Sequence, residues 1–505
     1  MGVDIVSIIT SIFSIQNILI SILGVFTGIL FGALPGFTGS MGIAVMLPFT
    51  YNMPPTTALI LLGSLFCGSM YGGSISSILI NTPGTPAAAC TVLDGHPMAK
   101  NGRAGEALRE SITASFIGGI LGVTALLFLS PPLAKVSLMF GPPEYLLMAI
   151  FGLTIIASIS EKSMIKGFLS GILGLTVAMI GTDPTLGVPR FIFGLSELID
   201  GIELIPALIG LFALPEVLNI IHTYSKDEVP TELPNIKDIK IGFPTIKHII
   251  KFMPIYLRSS LIGIFIGILP GAGSSIATFL SYNETKKASK HPELFGTGIP
   301  EGVAAAESSN NALAGGALIP MLTLGVPGDA VAAIIMGGLM IIGLQPGGEL
   351  FTTNANIVYT FIIALYLANV IMLLFGIYCA PYFTLVANVP KHMLAAFIVL
   401  FTVLGSYALR NSMFDVYVMV LFGIIGYFLK SNGFDVVPMV LGIILGTMAE
   451  NGFNQSLAIS ESSNIFVYIF TRPISITLIV LTVFSIMVPI IRRHKKKNTA
   501  HSAIS

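Results

Sequence analysis

Apolar runs long enough to cross a bilayer recur along almost the whole chain, and no other feature limits its possible folds so severely. A hydrocarbon core of about 30 Å needs about 20 helical residues. Runs of that order fall at 18–33, 108–130, 144–160, 164–182, 203–222, 253–270, 355–380, 392–409, 412–429, 434–450 and 473–491, which predicts eleven crossings. Two further apolar stretches, 56–93 and 302–345, are broken by Gly, Pro, Ser, Thr and Asn and read as discontinuous or re-entrant segments. Only 10% of residues are charged, against roughly 25% in a soluble domain, so the chain reads as a single integral membrane domain, 1–505. The fold class expected is an all-α polytopic membrane protein.

With 25 basic and 25 acidic residues, the chain lacks the basic excess that holds nucleic acid. Cys67, Cys90 and Cys379 have no paired or ligand spacing and sit in or beside apolar runs, so neither disulfide nor metal centre is expected. The start, MGVDIVSIITSIF, has no basic n-region and is expected to stay on the chain. The tail residues Arg492, Arg493, Lys495, Lys496 and Lys497 fix the C-terminus inside by the positive-inside rule. Walking back by alternation puts Lys430, Lys391, the segment from Lys226 to Lys251, and Lys100, Arg103 and Arg109 in the cytoplasm. Asp183, Glu197, Asp200 and Glu203 fall outside, as does the N-terminus. Lys286, Lys287, Lys290 and His291 also fall outside in this walk, which makes them an exception or the sign of a misjudged hairpin.

Several features occur twice in the same order. Leu34-Pro35-Gly36 precedes Gly39-Ser40, and Leu269-Pro270-Gly271 precedes Ser274-Ser275. Gly72-Gly73 leads to Thr82-Pro83-Gly84 and His96-Pro97, as Gly315-Gly316 leads to Val326-Pro327-Gly328 and Gln345-Pro346. Five crossings plus a broken stretch per half would reverse the second copy. The expected organisation is a first repeat at 15–222, a cytoplasmic connection at 223–249, and an inverted second repeat at 250–455. An extra helix at 472–491 and a basic cytoplasmic tail at 492–505 follow. Inverted repeats with discontinuous helices are the architecture of secondary transporters, and elevator-type sliding is the motion preferred here, with rocking as the alternative.

Irregular backbone at membrane depth must line a cavity or lie buried in protein. The breaks at Leu34–Ser40, Asn81–Pro86, Leu269–Ser275 and Leu324–Asp329 therefore mark a polar interior. Helix ends at such breaks offer N–H groups to anions and carbonyls to cations. Candidate substrate-binding residues are Gly36, Thr38, Gly39, Ser40, Pro83, Gly84, Thr85, Gly271, Gly273, Ser274, Ser275, Pro327 and Gly328. Glu307-Ser308-Ser309-Asn310-Asn311 places a carboxylate and two amides inside a small-residue apolar run, where polar groups are costly and need partners. It reads as a ligand set, or else as an interhelical hydrogen-bond cluster. Glu307, Asn310, Asn311 and Asp329 are the candidate coupling-ion residues; Glu161 and Lys162 read as a solvated loop. No lysine or arginine falls inside the broken stretches, although Arg258 lies near one helix start, so an anionic substrate would need a co-bound cation. Sodium suits the neutral oxygens on offer, whereas a proton would need Glu307 or Asp329 to titrate.

The histidines are expected in connections or the tail, away from Ser40 and Ser274, and no HExxH or GxxxxGK motif is present. The chain therefore reads as neither a hydrolase nor a pump ATPase, with no cofactor beyond a possible Na+. A channel, an uncoupled exporter and a scaffold without flux are the competing readings.

The run from Leu34 to Leu108, and the runs LPGAGSSIATFL from Leu269 and KHPELFGTGIPEGVAAAESSNNALAGGALIPMLTLGVPGDA ending at Ala330, strongly resemble the large membrane subunit of the tripartite tricarboxylate transporters. The likeness covers most of residues 15–470. It implies a carboxylate importer of the bacterial inner membrane that works with a small membrane subunit and an extracytoplasmic solute-binding protein. The family's glycine-rich loops map to Pro35, Gly36, Gly39 and Pro270, Gly271, Gly273, and its Asn pair to Asn310 and Asn311. Ser308-Ser309 departs from the family's small apolar alanines.

Overall fold

The computed structural model describes residues 4–34, 37–159, 163–184, 186–222, 239–385, 389–460 and 464–502, without the side chains of 155–159, 391 and 488–502. Helices of the first half are α1 (Ile5–Ile12), α2 (Ile15–Ala33), α3 (Gly39–Met46), α4 (Pro55–Ile80), α5 (Ala89–Met98), α6 (Ala104–Ser137), α7 (Pro142–Ile159), α8 (Met164–Ala178), α9 (Leu204–Phe212) and α10 (Leu214–His222). The second half has α11 (Ile246–Ile268), α12 (Gly273–Ala288), α13 (Pro300–Leu324), α14 (Ala330–Ile341), α15 (Leu350–Thr353), α16 (Ala355–Tyr378), α17 (Ala380–Phe383), α18 (Lys391–Arg410), α19 (Met413–Ser431) and α20 (Val437–Ile459). Then come α21 (Ile465–Phe470) and α22 (Pro473–Ser502). Among the described residues, one antiparallel pair of two-residue strands, Gly181–Thr182 with Pro189–Arg190, is the only sheet. The chain is an all-α polytopic membrane protein.

Eight helices among the described residues are long and apolar enough to cross a membrane. Seven of them match expected crossings. The eighth is not among the expected crossings: the broken stretch from residue 56 opens with a 26-residue helix, Pro55–Ile80, buried from Thr57 to Leu79, and its break falls after Ile80, as expected. Gly and Ser residues here permit close packing rather than interrupt the helix. The crossings expected at 144–160, 164–182, 434–450 and 473–491 do not reach the same length and hydropathy in the described residues.

Helices α4 and α13 are built alike. Each starts with proline in its first turn, where the missing N–H costs no helical bond, and each ends on a residue in the left-handed region, Asn81 (φ 56°) or Gly325 (φ 69°). The chain then folds back: Gly84 N–H donates to the Gly73 carbonyl at 3.4 Å, and Gly328 N–H to the Ala317 carbonyl at 3.2 Å. A β-carbon on Gly84 would strike the Gly32 carbonyl oxygen, and one on Gly328 the Gly267 carbonyl oxygen. Only glycine admits this approach of three backbones.

Packing sorts the helices into two groups. Helices α2–α6, α11–α14 and α16 pack on one another, with α4 and α13 innermost, while α7–α10 and α18–α20 pack among themselves. The groups meet chiefly where α3 and α14 face α9, α18 and α20. Around the periphery, exposed apolar residues such as Phe265, Phe397, Tyr417 and Phe484 present a surface suited to lipid.

Helix α12 turns back beside α11 and delivers the 289–299 loop to the end of α5. Gly296, Gly298 and Ile299 N–H groups all donate to Asp94 Oδ1 at 2.9–3.1 Å, and Arg103 Nη1 donates to the Gly298 carbonyl at 3.1 Å. Lys286, Lys287, Lys290 and His291 therefore belong to the same end of the molecule as Lys100 and Arg103. Counting α11 as a crossing without its returning partner misplaced them. Arg258 lies in the middle of α11, not near a helix start, and His96, His222, His248 and His392 lie within helices rather than connections.

Candidate functional site

In each break a new helix begins in the protein interior: α3 after residue 38, α5 after 88, α12 after 272 and α14 after 329. Their first turns lie against each other in pairs drawn from opposite halves. A β-carbon on Gly39 would touch Ser69 and Val331, which sets the start of α3 beside that of α14. Thr278 Oγ1 donates to the Ala87 carbonyl at 3.3 Å and Cys90 Sγ to the Thr278 carbonyl at 3.6 Å, which sets α12 beside α5. Within the second half the breaks also touch directly, Gly271 N–H donating to the Gly328 carbonyl at 2.8 Å.

Two of these helix starts carry side-chain caps. Thr38 Oγ1 accepts from Met41 N–H at 3.3 Å and lies 2.8 Å from Ser40 Oγ, while Asp329 Oδ1 accepts from Ala332 N–H at 2.7 Å. The starts of α5 and α12 have no side-chain cap. At α5 the Ala88, Ala89 and Cys90 N–H groups donate to the Thr85, Pro86 and Ala87 carbonyls, whereas the first-turn amides of the half-buried Gly273, Ser274 and Ser275 in α12, with the unpartnered buried hydroxyl of Thr85, can bind an anion without any cationic side chain. Pro327, Gly328 and Gly84 are buried, and the two glycines are committed to backbone packing. Gly36 lies outside the described residues, as do Pro35, Glu161 and Lys162.

A second polar centre surrounds Glu307, which is fully buried in mid-α13. Thr91 Oγ1 from α5 donates to its Oε1, Ser115 Oγ from α6 to its Oε2 at 3.1 Å, and Ser74 from α4 adds a third hydroxyl. Among the described residues no lysine, arginine or histidine pairs with it. One turn along, Asn310 Nδ2 donates to the Met70 carbonyl at 2.8 Å and leaves its Oδ1 buried without a donor. The Tyr71 hydroxyl is likewise buried and unpartnered. Asn311 Nδ2 is spent on the Glu307 carbonyl at 3.2 Å. Asp329 does not join this group: Gly328 folds back to the level of Ala317, ten residues beyond Glu307, or about 15 Å along the helix at 1.5 Å per residue.

Small residues build this centre. β-Carbons on Gly118 and Gly263 would strike the Ser308 and Ser309 carbonyls, so α6 and α11 press their backbones onto α13. Ser308-Ser309 thus sits at helix contacts, and Ser308 Oγ donates to the Ala304 carbonyl. The hydroxyls of Thr91, Ser115 and Ser74 escaped sequence reasoning because they come from helices some two hundred residues away from Glu307 in the chain.

The sequence profile of the tripartite tricarboxylate transporter TctA family matches residues 18–441. An uncharacterised 52.8 kDa protein of the TAR-I ttuC' 3' region of Agrobacterium vitis is 34% identical over 483 residues, covering 95% of this chain and 94% of that protein. An uncharacterised protein of the TAR-II ttuC' 3' region of the same organism is 34% identical over 236 residues, 46% of this chain and 96% of the relative.

Proposed function

The chain belongs to the TctA family of tripartite tricarboxylate transporters, and from that premise we propose that it is the large transmembrane subunit of a binding-protein-dependent importer. It moves tricarboxylates or related carboxylates across the bacterial inner membrane by sodium symport, together with a small membrane subunit and an extracytoplasmic solute-binding protein. The observation that carries this reading is Glu307: a buried carboxylate with hydroxyls around it, an unused amide oxygen one turn away and no basic partner among the described residues. An unpaired charge at that depth is costly, and a bound cation offsets the cost. Oxygen ligands of this kind suit sodium. The carboxylate substrate is held by the uncapped start of α12 with Thr85, Ser274 and Ser275.

The matched folds-back of α4 and α13 support two inverted repeats, and the thin contact between the two helix groups supports elevator-type sliding of the inner group. Lys100, Arg103 and Lys286 to Lys290 then mark the cytoplasmic end. The test is uptake into liposomes by the reconstituted complex with a candidate binding protein, with and without a sodium gradient. Sodium-dependent, binding-protein-dependent uptake is expected. Uptake that ignores sodium at fixed potential and follows an imposed pH gradient would transfer the coupling role to a proton on Glu307 or Asp329. Flux that neither saturates nor needs the binding protein would instead indicate a channel.

A further inference from the structure

At the far end of α13 from Arg103, an open cavity of about 350 Å³ lies between the second break and α20. Gly325, where α13 ends, forms part of its wall, with Gln345 and Glu349 on one side and Thr447, Asn451 and Gln455 on the other. The last three recur at every fourth residue and so form one polar stripe on α20. This stripe lies largely beyond the apolar run that predicted a crossing at 434–450, which is why sequence hydropathy gave no sign of it.

The electrostatics of this vestibule have one sign. Glu349 is its only charged lining residue among those described, and no lysine or arginine lines it. The nearby Arg190 is taken up by Asp183 and Glu450, and Arg472 by Glu144. A helix C-terminus carries partial negative charge, and α13 points that end into the cavity. The Pro320, Met321 and Leu322 carbonyls accept from Val326, Gly325 and Gly347 N–H groups, whereas Pro327 has no N–H to give the Thr323 carbonyl, so this end charge is reduced and Glu349 carries most of the negative potential. The amide and hydroxyl oxygens of the stripe add hard neutral ligands. Such a cavity repels a multivalent carboxylate and collects a cation.

We infer that this vestibule is an outer binding station for the coupling cation, filled by Na+ before the carboxylate arrives. The inference rests on the sodium-symport reading above, and adds a site and an order of binding to it. Cation entry along α13 comes first and reduces the negative potential that an incoming anion meets.

The test is binding of radioactive ²²Na+ to the detergent-solubilised complex without carboxylate, at constant ionic strength. Glu349→Gln should weaken one component of binding by about two- to fivefold, the range for a solvated single charge. Asn451→Leu, on the opposite wall, should weaken the same component less. Glu307→Gln should remove a separate, deeper component and leave the outer one. If Glu349→Gln and Asn451→Leu bind ²²Na+ as the wild type does while Glu307→Gln loses binding, the vestibule proposal is overturned and the coupling reading stands. If the wild-type complex binds no ²²Na+ at all, both fall.

Discussion

Helices α4 and α13 share a frame and differ in chemistry. Both begin with proline, end in a left-handed residue and fold back through a Pro-Gly pair onto a glycine-lined neighbour. Aligning Gly84 with Gly328 puts Gly63, Phe66 and Cys67 of α4 opposite Glu307, Asn310 and Asn311 of α13. At Gly63 the space is filled by Phe361 and Leu365 side chains. Where α13 holds a carboxylate in a ring of hydroxyls, α4 holds an apolar contact. The lesson is that the backbone device occurs twice and the buried carboxylate once, which in the proposed symporter gives the two halves one deep coupling centre.

The largest effect should come from the residue that makes this difference. Glu307→Gln keeps size and most hydrogen bonds but removes the charge. If a charged hydrogen-bonding partner contributes about 3 kcal/mol, sodium-driven uptake falls by at least about a hundredfold. The protein should still insert, since the amide can pair with the same hydroxyls. Uptake with unchanged sodium dependence in this variant would remove the chemical distinction between the two helices.

The next test concerns the shared frame. Gly84→Ala and Gly328→Ala each force a methyl group onto a backbone carbonyl oxygen, which costs about 1–3 kcal/mol in a packed core. Equal losses of thermal stability, measured on the detergent-solubilised protein, are expected. A large loss at one and none at the other would mean that only one fold-back is structurally required, and the likeness of α4 and α13 would be superficial.

The frame was legible in the sequence because Gly and Pro mark backbone geometry directly. The breaks at 81–86 and 324–329 coincide with the observed helix ends. Glu307, Asn310 and Asn311 stood out for a similar reason, since polar residues inside an apolar run announce themselves. The partners did not. Thr91, Ser115 and Tyr71 are ordinary residues until folding brings them to α13, and Asp94, in a short polar stretch, gives no hint that it gathers three backbone amides from the 296–299 loop. Helix α4 escaped the count of crossings because its Gly and Ser residues lower the hydropathy of the stretch, whereas in a buried helix they serve close contact.

A smaller effect separates the two amides. Asn310→Ala loses the bond to Met70 and the unused oxygen, so it should raise the sodium concentration needed for half-maximal uptake by about two- to fivefold, corresponding to about 0.4–1 kcal/mol. Asn311 spends its amide nitrogen within α13, so Asn311→Ala should do less. The reverse order in a sodium titration would move the ion toward Asn311.

The smallest effects should come from the two caps, one in each half. Thr38 and Asp329 each accept a bond from the first turn of the helix that follows, α3 or α14. Replacing such a cap by alanine costs about 1 kcal/mol. Thr38→Ala and Asp329→Ala should therefore lower thermal stability by similar small amounts. Because Asp329 lies about 15 Å from Glu307 along the helix axis, its loss should leave the half-saturating sodium concentration unchanged. Asp329→Asn keeps an oxygen that can cap and should recover most of the stability. If Asp329→Asn recovers stability yet still shifts the sodium titration, the carboxylate is acting as a charge rather than a cap, and the second break would then take part in ion coupling while the first would not.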